Sequence, residues 1–284
     1  MTQTLDVRPS SIAGQWYPDD PQRLAASVDG YIEAARLPAL EGELLAVMTP
    51  HAGHRYSGPV AGHAFAAACG LQPGLVAVVS PMHHPAHQPL LTSAHDAYAT
   101  PLGLIPIDHD AQQALDAYLQ VELGFGLTMV RRDPEHSLEI ELPFLQRALK
   151  NGFSLLPVMM RDTSERSARG LGRALAKVVG GYNALMVAST DLSHFYNQKS
   201  ANQLDQEMLR RVEALDPAGV LQAEEEGKGF ACGRGAIAAV LWAAIELGAD
   251  TVKILNYATS GDITGDYSQV VGYGAAAILR SKPE

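Results

Sequence analysis

Short runs of apolar residues, each bounded by turn residues, recur along the chain. Three of them, at 44–49, 75–80 and 185–190, are close to continuous, which is typical of strands buried on both faces. We therefore predict that these three runs form the parallel centre of a sheet. The other predicted strands span 102–107, 153–159, 252–257 and 270–279.

Helices are predicted between these strands, where apolar residues repeat at helical spacing or Ala and Leu are dense. The predicted helices span 23–35, 59–68, 137–149, 164–179, 204–215 and 235–247. Strands that alternate with helices indicate βαβ units. We predict an α/β fold in which a mostly parallel central sheet is flanked by helices, with residues 1–284 forming one domain.

The composition argues against several classes of protein. No stretch approaches the ~18 uncharged apolar residues of a membrane span, and the N-terminus lacks a signal-peptide pattern. A formal net charge of −10 repels phosphate backbones, so nucleic acid is not an expected partner. Two cysteines cannot build a disulfide framework and suit a reducing compartment. These features predict a soluble, cytoplasmic protein.

Polar clusters directly follow three of the predicted strands. They read PHAGH at 50–54, PMHH at 81–84 and DLSH at 191–194. A single loop histidine is more often solvated than functional, but ligands of open α/β sheets gather outside the carboxyl ends of strands. Residues far apart in the sequence can therefore share one crevice. The residues predicted to converge there are His51, His83, Asp191 and His194.

Adjacent side chains of an extended segment point in opposite directions, so only one of His83 and His84 can easily face a shared ion. We take His83 as the candidate ligand and His84 as a pocket residue. His54 and His87 are interpreted as polar loop residues.

Cys232 lies where a glycine-rich loop enters an apolar helix. The positive end of that helix is expected to lower the pKa of the thiol and favour the thiolate. Cys69, in an Ala-rich run, is expected to be a small buried hydrophobic residue.

Asp191 and His194 are spaced to share one side of a turn, where the carboxylate could orient a neighbour and the imidazole could move a proton. Capping of the turn is the alternative role for Asp191. Two histidines and a thiolate would leave open positions on a metal ion, which is typical of a reactive site. The metal-free alternative is catalysis by Cys232 as nucleophile, with His194 or His51 as base.

The segment EHSLEIELPFL at 135–145 places three titratable residues at a predicted helix start, where acids complement the helix dipole. They are His136, Glu139 and Glu141, and of these we count His136 as a candidate pocket residue. SGDITGD at 260–266 is interpreted as a turn, because its spacing departs from a calcium loop.

An ordered set of motifs resembles the Memo family (mediator of cell motility) over nearly the whole chain, in a form similar to its prokaryotic members. The motifs are AGQWYP (13–18), PHAGHRYSG (50–58), SPMHH (80–84), YATPLG (98–103), EHSLEIELPFL (135–145), STDLSH (189–194), ACGRG (231–235) and NYATSGDITGDYSQVVGYGAAAI (256–278).

The resemblance implies a mixed-sheet fold related to class III extradiol dioxygenases of the LigB type, which hold non-haem iron with two His and a Glu. It implies that the metal ligands here are His51, His83 and Cys232, with a thiolate in place of the dioxygenase carboxylate. Asp191 and His194 match the remaining pocket residues of the family, and Trp16 matches an aromatic residue at the rim.

The resemblance further implies Fe(II) or copper as cofactor, with zinc as an adventitious occupant, and redox chemistry on an unknown substrate. It also implies a functional association with a radical-SAM protein. The alternative is a non-catalytic module that binds a phosphorylated or otherwise anionic peptide in the same pocket.

Overall fold

The structure is a computed structural model that describes residues 5–281. Within this range the chain alternates between strands and helices for most of its length. The strands are β1 (Val7–Arg8), β2 (Glu43–Thr49), β3 (Leu75–Pro81), β4 (Leu90–Ser93), β5 (Ala97–Thr100), β6 (Gly103–Pro106), β7 (Thr128–Val130), β8 (Ser154–Met160), β9 (Ala184–Ser189), β10 (His194–Tyr196), β11 (Thr251–Thr259) and β12 (Val270–Arg280). The helices are α1 (Pro21–Ala34), α2 (His54–Ala67), α3 (His109–Leu123), α4 (Leu142–Ala148), α5 (Glu165–Val179), α6 (Gln198–Glu213), α7 (Pro217–Glu225), α8 (Arg234–Glu246) and α9 (Gly261–Thr264), and a 3-10 turn, Glu139–Glu141, precedes α4.

A nine-stranded mixed sheet organises the described residues, in the order β10-β12-β2-β9-β3-β8-β4-β7, with β11 also paired to β12. Its centre is parallel: Val187 of β9 lies between Val47 of β2 and Val78 of β3, and all three are fully buried. Burial on both faces explains why these strands read as continuous apolar runs. A separate three-stranded sheet has the order β1-β5-β6.

Helices cover both faces of the large sheet, and successive residues of β2 show the two sides. Ala46 and Met48 belong to a core formed with α3, α5 and α8, whereas Val47 belongs to a second core formed with α1, α2 and α4. This alternation follows from the two-residue period of a strand. The sheet is therefore packed on both faces, and the candidate site residues follow the carboxyl ends of its central strands.

The predicted α/β fold is confirmed, and each predicted strand and helix has a counterpart. Pro59 lies inside α2 instead of at its start, since the helix already begins at His54. The segment interpreted as a turn, 260–266, contains the short helix α9. Gly265, with a φ of +75°, caps the carboxyl end of this helix. Helices α3 and α7 were missing from the prediction. No helix in residues 5–281 is long and apolar enough to cross a membrane.

Candidate functional site

The three polar clusters come together because β2, β9 and β3 are parallel neighbours and end at the same edge of the sheet. His51, His83 and Asp191 each lie two residues beyond the end of their strand. The backbone N–H of His51 donates to Oδ1 of Asp191 at 2.8 Å, which joins two of the three strand ends. The structure thus brings these predicted site residues together.

Three imidazoles form the centre of the site. One ligand nitrogen from each of His51, His83 and His136 lies within 4.8 Å of the other two. The rings of His83 and His136 are stacked, with centroids 4.8 Å apart, and His51 meets both edge-on. His136 was predicted as a pocket residue only, and the structure places it as near to the other two histidines as a third ligand would be.

Each of the three imidazoles has an oxygen beside its Nδ1 atom. Nδ1 of His51 lies 2.8 Å from Oγ of Ser189, and Nδ1 of His83 lies 2.9 Å from Oε1 of Glu135. Nδ1 of His136 is 3.4 Å from the same carboxylate oxygen. Hydrogen bonding of one ring nitrogen leaves the other available as a ligand, so Nε2 is the available atom on His51 and His83.

Glu135 is a buried site residue that sequence reasoning missed. Its carboxylate accepts the backbone N–H groups of His83 at 2.6 Å and of His136 and Ser137 at 3.0 Å each. Burial opposes its ionisation, but these bonds and the His83 side chain hold the pKa of Glu135 well below its usual value. A carboxylate directly before a candidate histidine was the signal that could have found it.

Cys232 lies beside His51, just before α8. Its Sγ is 3.1 Å from Nε2 of His51 and accepts the backbone N–H of Asp191 at 3.2 Å. The expectation that the helix end lowers its pKa was wrong: burial, assisted by the Asp191 carboxylate, raises the pKa of the thiol. The role of Cys232 as a metal ligand stays a prediction.

Asp191 and His194 flank the imidazoles. Burial raises the pKa of Asp191 to about 7, against the hydrogen bonds from the backbone of His51 and Ala52. His194 begins β10, so the chain between the two residues is not the helical turn that their spacing suggested. Its Nε2 is buried, and no residue of the described range provides a hydrogen-bond partner for it.

Three imidazoles at the site, those of His51, His136 and His194, have lowered pKa values, which favours their neutral form. Burial and the neighbouring histidines lower the pKa of His51 well below its usual value. Burial likewise lowers the pKa of His136 to about 4. Burial, with His83 as a second cause, lowers the pKa of His194. Neutral imidazole is the form that binds a metal ion.

The two remaining predicted pocket residues also lie close to the imidazoles. The indole of Trp16 packs against the ring of His136, with centroids 4.2 Å apart, and forms one wall of the site. His84 is near enough to contribute to the lowered pKa of His136.

The burial of several residues was not evident from the sequence. Glu139 and Glu141 lie in the 3-10 turn directly before α4, close to the predicted helix start, and both are buried and hydrogen-bonded. His54 is not a loop residue, because it is buried in the first turn of α2 with Nε2 3.1 Å from the carbonyl oxygen of Ile140. Cys69 is exposed instead of buried, because it lies beyond the end of α2.

The arrangement offers a compact set of soft and borderline donors with acid–base groups next to them. Imidazole and thiol suit iron, copper or zinc, whereas magnesium and calcium prefer oxygen ligands. The unpartnered Nε2 of His194 is placed to exchange a hydrogen bond with a molecule bound beside the imidazoles. The residues therefore fit a transition-metal ion.

Known proteins of similar sequence match this chain over almost its full length. A MEMO1 family protein of Nitrosopumilus maritimus is 32% identical over 280 residues, which cover 96% of this chain and 100% of the relative. One of Methanopyrus kandleri is 35% identical over 283 residues, which cover 96% of this chain and 99% of the relative.

A solved structure shares the fold at low sequence identity. The crystal structure of an uncharacterized protein of Escherichia coli K12 matches with a TM-score of 0.50 and 14% identity, over 82% of this chain and 99% of the other. The family profile described as Memo-like protein matches residues 8–277. The resemblance inferred from the motifs is confirmed, and this chain belongs to the Memo-like protein family.

Proposed function

We propose that the protein binds one iron or copper ion among His51, His83, His136 and Cys232 and uses it for redox chemistry on a small molecule. The observation that carries this proposal is the mutual approach, within 4.8 Å, of one ligand nitrogen from each of the three histidines. Because Nδ1 of His51 and of His83 is hydrogen-bonded, these two rings have Nε2 available for a metal ion.

The ligand set has two fixed members and two candidates for the third. His51 and His83 belong to the three-histidine group and to the set expected from the family resemblance. Cys232 is the third ligand expected from that resemblance, and its Sγ lies 3.1 Å from His51 Nε2. His136 is the third member of the geometric group. Either set leaves coordination positions open for a substrate.

Iron or copper bound there would supply the one-electron chemistry that no side chain of the site supplies. The remaining roles belong to the chain. In this proposal Asp191 and His194 accept a proton from a bound molecule or donate one to it, which the raised pKa of Asp191 and the unpartnered Nε2 of His194 support. Trp16, packed on His136, excludes water from one side of the pocket.

Metal loading of single-residue variants tests this proposal. The protein is purified anaerobically, loaded with Fe(II) or Cu(I), with Zn(II) as a comparison, and the stoichiometry and affinity are measured. We expect one iron or copper ion per chain and a large loss of affinity in His51→Ala and His83→Ala. The exposed His87→Ala is the matched control and is expected to bind as the parent does.

Two further variants identify the third ligand. If Cys232 coordinates, Cys232→Ser abolishes the sulfur-to-metal charge-transfer absorption of the Cu(II) form and weakens binding; if His136 coordinates, His136→Ala produces the larger loss. Absence of tight iron or copper binding in the parent, or parental affinity in both His51→Ala and His83→Ala, would refute the proposal.

Cysteine catalysis is the second candidate, and the 3.1 Å contact between Cys232 Sγ and His51 Nε2 favours it. The raised pKa of the thiol argues against it, because the thiolate is the nucleophile. Rapid alkylation of Cys232 in metal-free protein at neutral pH would support this candidate over the metal centre.

A further inference from the structure

Glu141 is a buried carboxyl group that the proposed metal centre does not use. It is 1% exposed and contacts Ser189, which lies at Nδ1 of His51, whereas Cys232 lies at Nε2 of the same ring. Its partners are hydroxyl groups: Oε1 is 2.8 Å from Oγ of Ser189, and Oε2 is 3.3 Å from Oγ1 of Thr49. In the described residues no Lys, Arg or His nitrogen lies within ion-pair distance of this carboxyl.

Glu139, two positions earlier, shows what a buried ionised glutamate looks like in this protein. Its carboxylate lies 2.6 Å from Nη1 of Arg8 and accepts hydrogen bonds from the hydroxyls of Ser10, Ser11 and Tyr17. A buried charge requires such compensation. Glu141 lacks it, which indicates a neutral carboxylic acid.

The hydrogen count at Ser189 leads to the same conclusion by a separate route. Its Oγ has three close neighbours: the carbonyl oxygen of Ser137 at 2.6 Å, Oε1 of Glu141 at 2.8 Å and Nδ1 of His51 at 2.8 Å. A hydroxyl has one hydrogen to donate and two lone pairs with which to accept. A carbonyl oxygen can only accept, so the hydrogen of Ser189 points to Ser137.

The other two neighbours must then donate to Ser189. Glu141 donates through a carboxylic O–H, and His51 donates through Nδ1–H. Nε2 of His51 therefore carries no hydrogen and keeps a lone pair facing Sγ of Cys232, 3.1 Å away. The neutral thiol of Cys232 can donate to that lone pair, so every hydrogen in the chain has an acceptor.

We propose that Ser189 is a positioning residue which, with its own hydrogen given to Ser137, holds His51 in the tautomer that presents an unprotonated Nε2 to the site, and that Glu141, as a neutral carboxylic acid, donates to Ser189 and fixes the orientation of its hydroxyl group. Burial, with the Asp191 carboxylate as a further cause, raises the pKa of Glu141 well above its usual value, in agreement with the hydrogen count.

The imidazoles of His51 and His83 differ in the hydrogen-bond partner of their Nδ1 atoms. His83 has an ionised carboxylate, Glu135, at its Nδ1, whereas His51 has a hydroxyl held by an uncharged acid. A hydrogen bond from Nδ1–H to an anionic partner makes the imidazole a stronger electron-pair donor to a metal ion than a hydrogen bond to a neutral partner does. The consequence for metal affinity rests on the proposed function, but the tautomer and the protonated acid are properties of the metal-free protein.

Two spectroscopic measurements on metal-free protein test the inference directly. Nitrogen-15 NMR of labelled histidine, with the His51 signals assigned by their loss in His51→Ala, is expected to show Nδ1 protonated and Nε2 unprotonated. The infrared difference between parent and Glu141→Gln at neutral pH is expected to show loss of a carboxylic-acid band. Glu139→Gln is the matched control and is expected to lose carboxylate bands instead.

A His51 protonated at Nε2, or carboxylate bands lost on replacing Glu141, would overturn the inference whether or not metal binds. The NMR measurement needs no substitution at Glu141 and therefore stands even if a Glu141 variant fails to fold.

Metal titration then measures the effect of positioning. Ser189→Ala removes the acceptor of the His51 Nδ1–H group and is expected to weaken binding by about 10–100-fold, and Glu141→Met, which removes only the bond that orients Ser189, is expected to weaken it less. Glu141→Gln retains an N–H donor and is expected to stay close to the parent. Parental affinity in both Ser189→Ala and Glu141→Met refutes the positioning role. If the parent binds no metal, the proposed function fails while the tautomer result stands on its own.

Discussion

Replacing Arg8 with Met tests the buried ion-pair network that Arg8 forms with Asp133 and Glu139 next to the candidate site. Arg8 is 1% exposed, with Nη2 3.0 Å from Oδ1 of Asp133 and Nη1 2.6 Å from Oε2 of Glu139. It also donates to the carbonyl oxygen of Glu135 at 2.8 Å, and the carboxylate of that residue holds His83. The network therefore connects the N-terminal strand β1 to the candidate metal site.

The expected magnitude follows from what the substitution leaves behind. Met occupies similar space without charge, so Asp133 and Glu139 remain buried with no cation beside them. Breaking a buried ion pair in this way costs ~3–5 kcal/mol. The hydroxyl groups that still donate to Glu139 reduce the cost, so we expect a loss near the lower end, about 3 kcal/mol in the free energy of unfolding.

Urea unfolding followed by tryptophan fluorescence measures this loss, and a matched surface pair provides the control. Arg147 contacts Asp29 through two bonds of 2.7 and 2.6 Å, as closely as Arg8 contacts its partners, but its side chain is 41% exposed. Solvent screening limits such a pair to ~1 kcal/mol or less, so Arg147→Met is expected to cost little. Equal losses in the two variants would refute the reasoning.

The pH dependence gives a second check. Burial opposes ionisation of Glu139, but Arg8 holds its pKa below the usual value of 4.5, so its stabilising contribution is present above that value and is lost as the pH falls. In Arg8→Met only the hydroxyl and backbone donors still oppose the effect of burial on the pKa of Glu139, so Glu139 takes up a proton more readily than in the parent. The difference in stability between parent and variant should therefore narrow as the pH falls from neutral, and Arg8→Met/Glu139→Gln should recover part of the loss.

Three further predictions concern other parts of the chain. Alkylation of metal-free protein at neutral pH should modify Cys69 about tenfold or more faster than Cys232, because burial raises the pKa of both thiols but Cys69 is the more exposed; equal rates would contradict the burial argument. Burial lowers the pKa of His54 to about 4, so the parent should lose stability as the pH falls from 6.5 toward 4, and His54→Gln should lose less over that range in urea unfolding. Gly62→Ala should cost about 1–3 kcal/mol, because a Cβ there would lie 2.4 Å from a backbone oxygen of α1. Gly30→Ala, with no atom within 4 Å of the added Cβ, should be neutral or stabilising, and a similar loss in both would contradict the steric explanation.

The strand ends were the predictable part of the site. Continuous apolar runs identified β2, β3 and β9, and the rule that parallel strands end at a common edge was enough to bring His51 and His83 together. Glu135 was missed, and His136 was predicted only as a pocket residue, because neither residue follows a strand. They lie in the segment before the 3-10 turn, and its position over the imidazoles depends on tertiary packing.

Burial was the property that sequence patterns predicted least well. Glu141 and Glu139 read as helix-start acids, yet one faces hydroxyl groups and the other an arginine from the far end of the chain. For Cys232, the helix-end effect was visible in the sequence, but the desolvation that outweighs it was not. Charge states depend on neighbours that are distant in sequence, and local patterns carry no information about these neighbours.

Strand β2 lies between β9 and β12, and β12 comes last among the strands of residues 5–281. During synthesis, β2 emerges early and then waits with one edge unpaired until residues 270–280 leave the ribosome. An unpaired apolar strand edge is a site for aggregation. Nascent or truncated chains that end before β12 are therefore expected to depend on chaperones, and the histidine that follows β2 stays without its final surroundings until β12 has been synthesised.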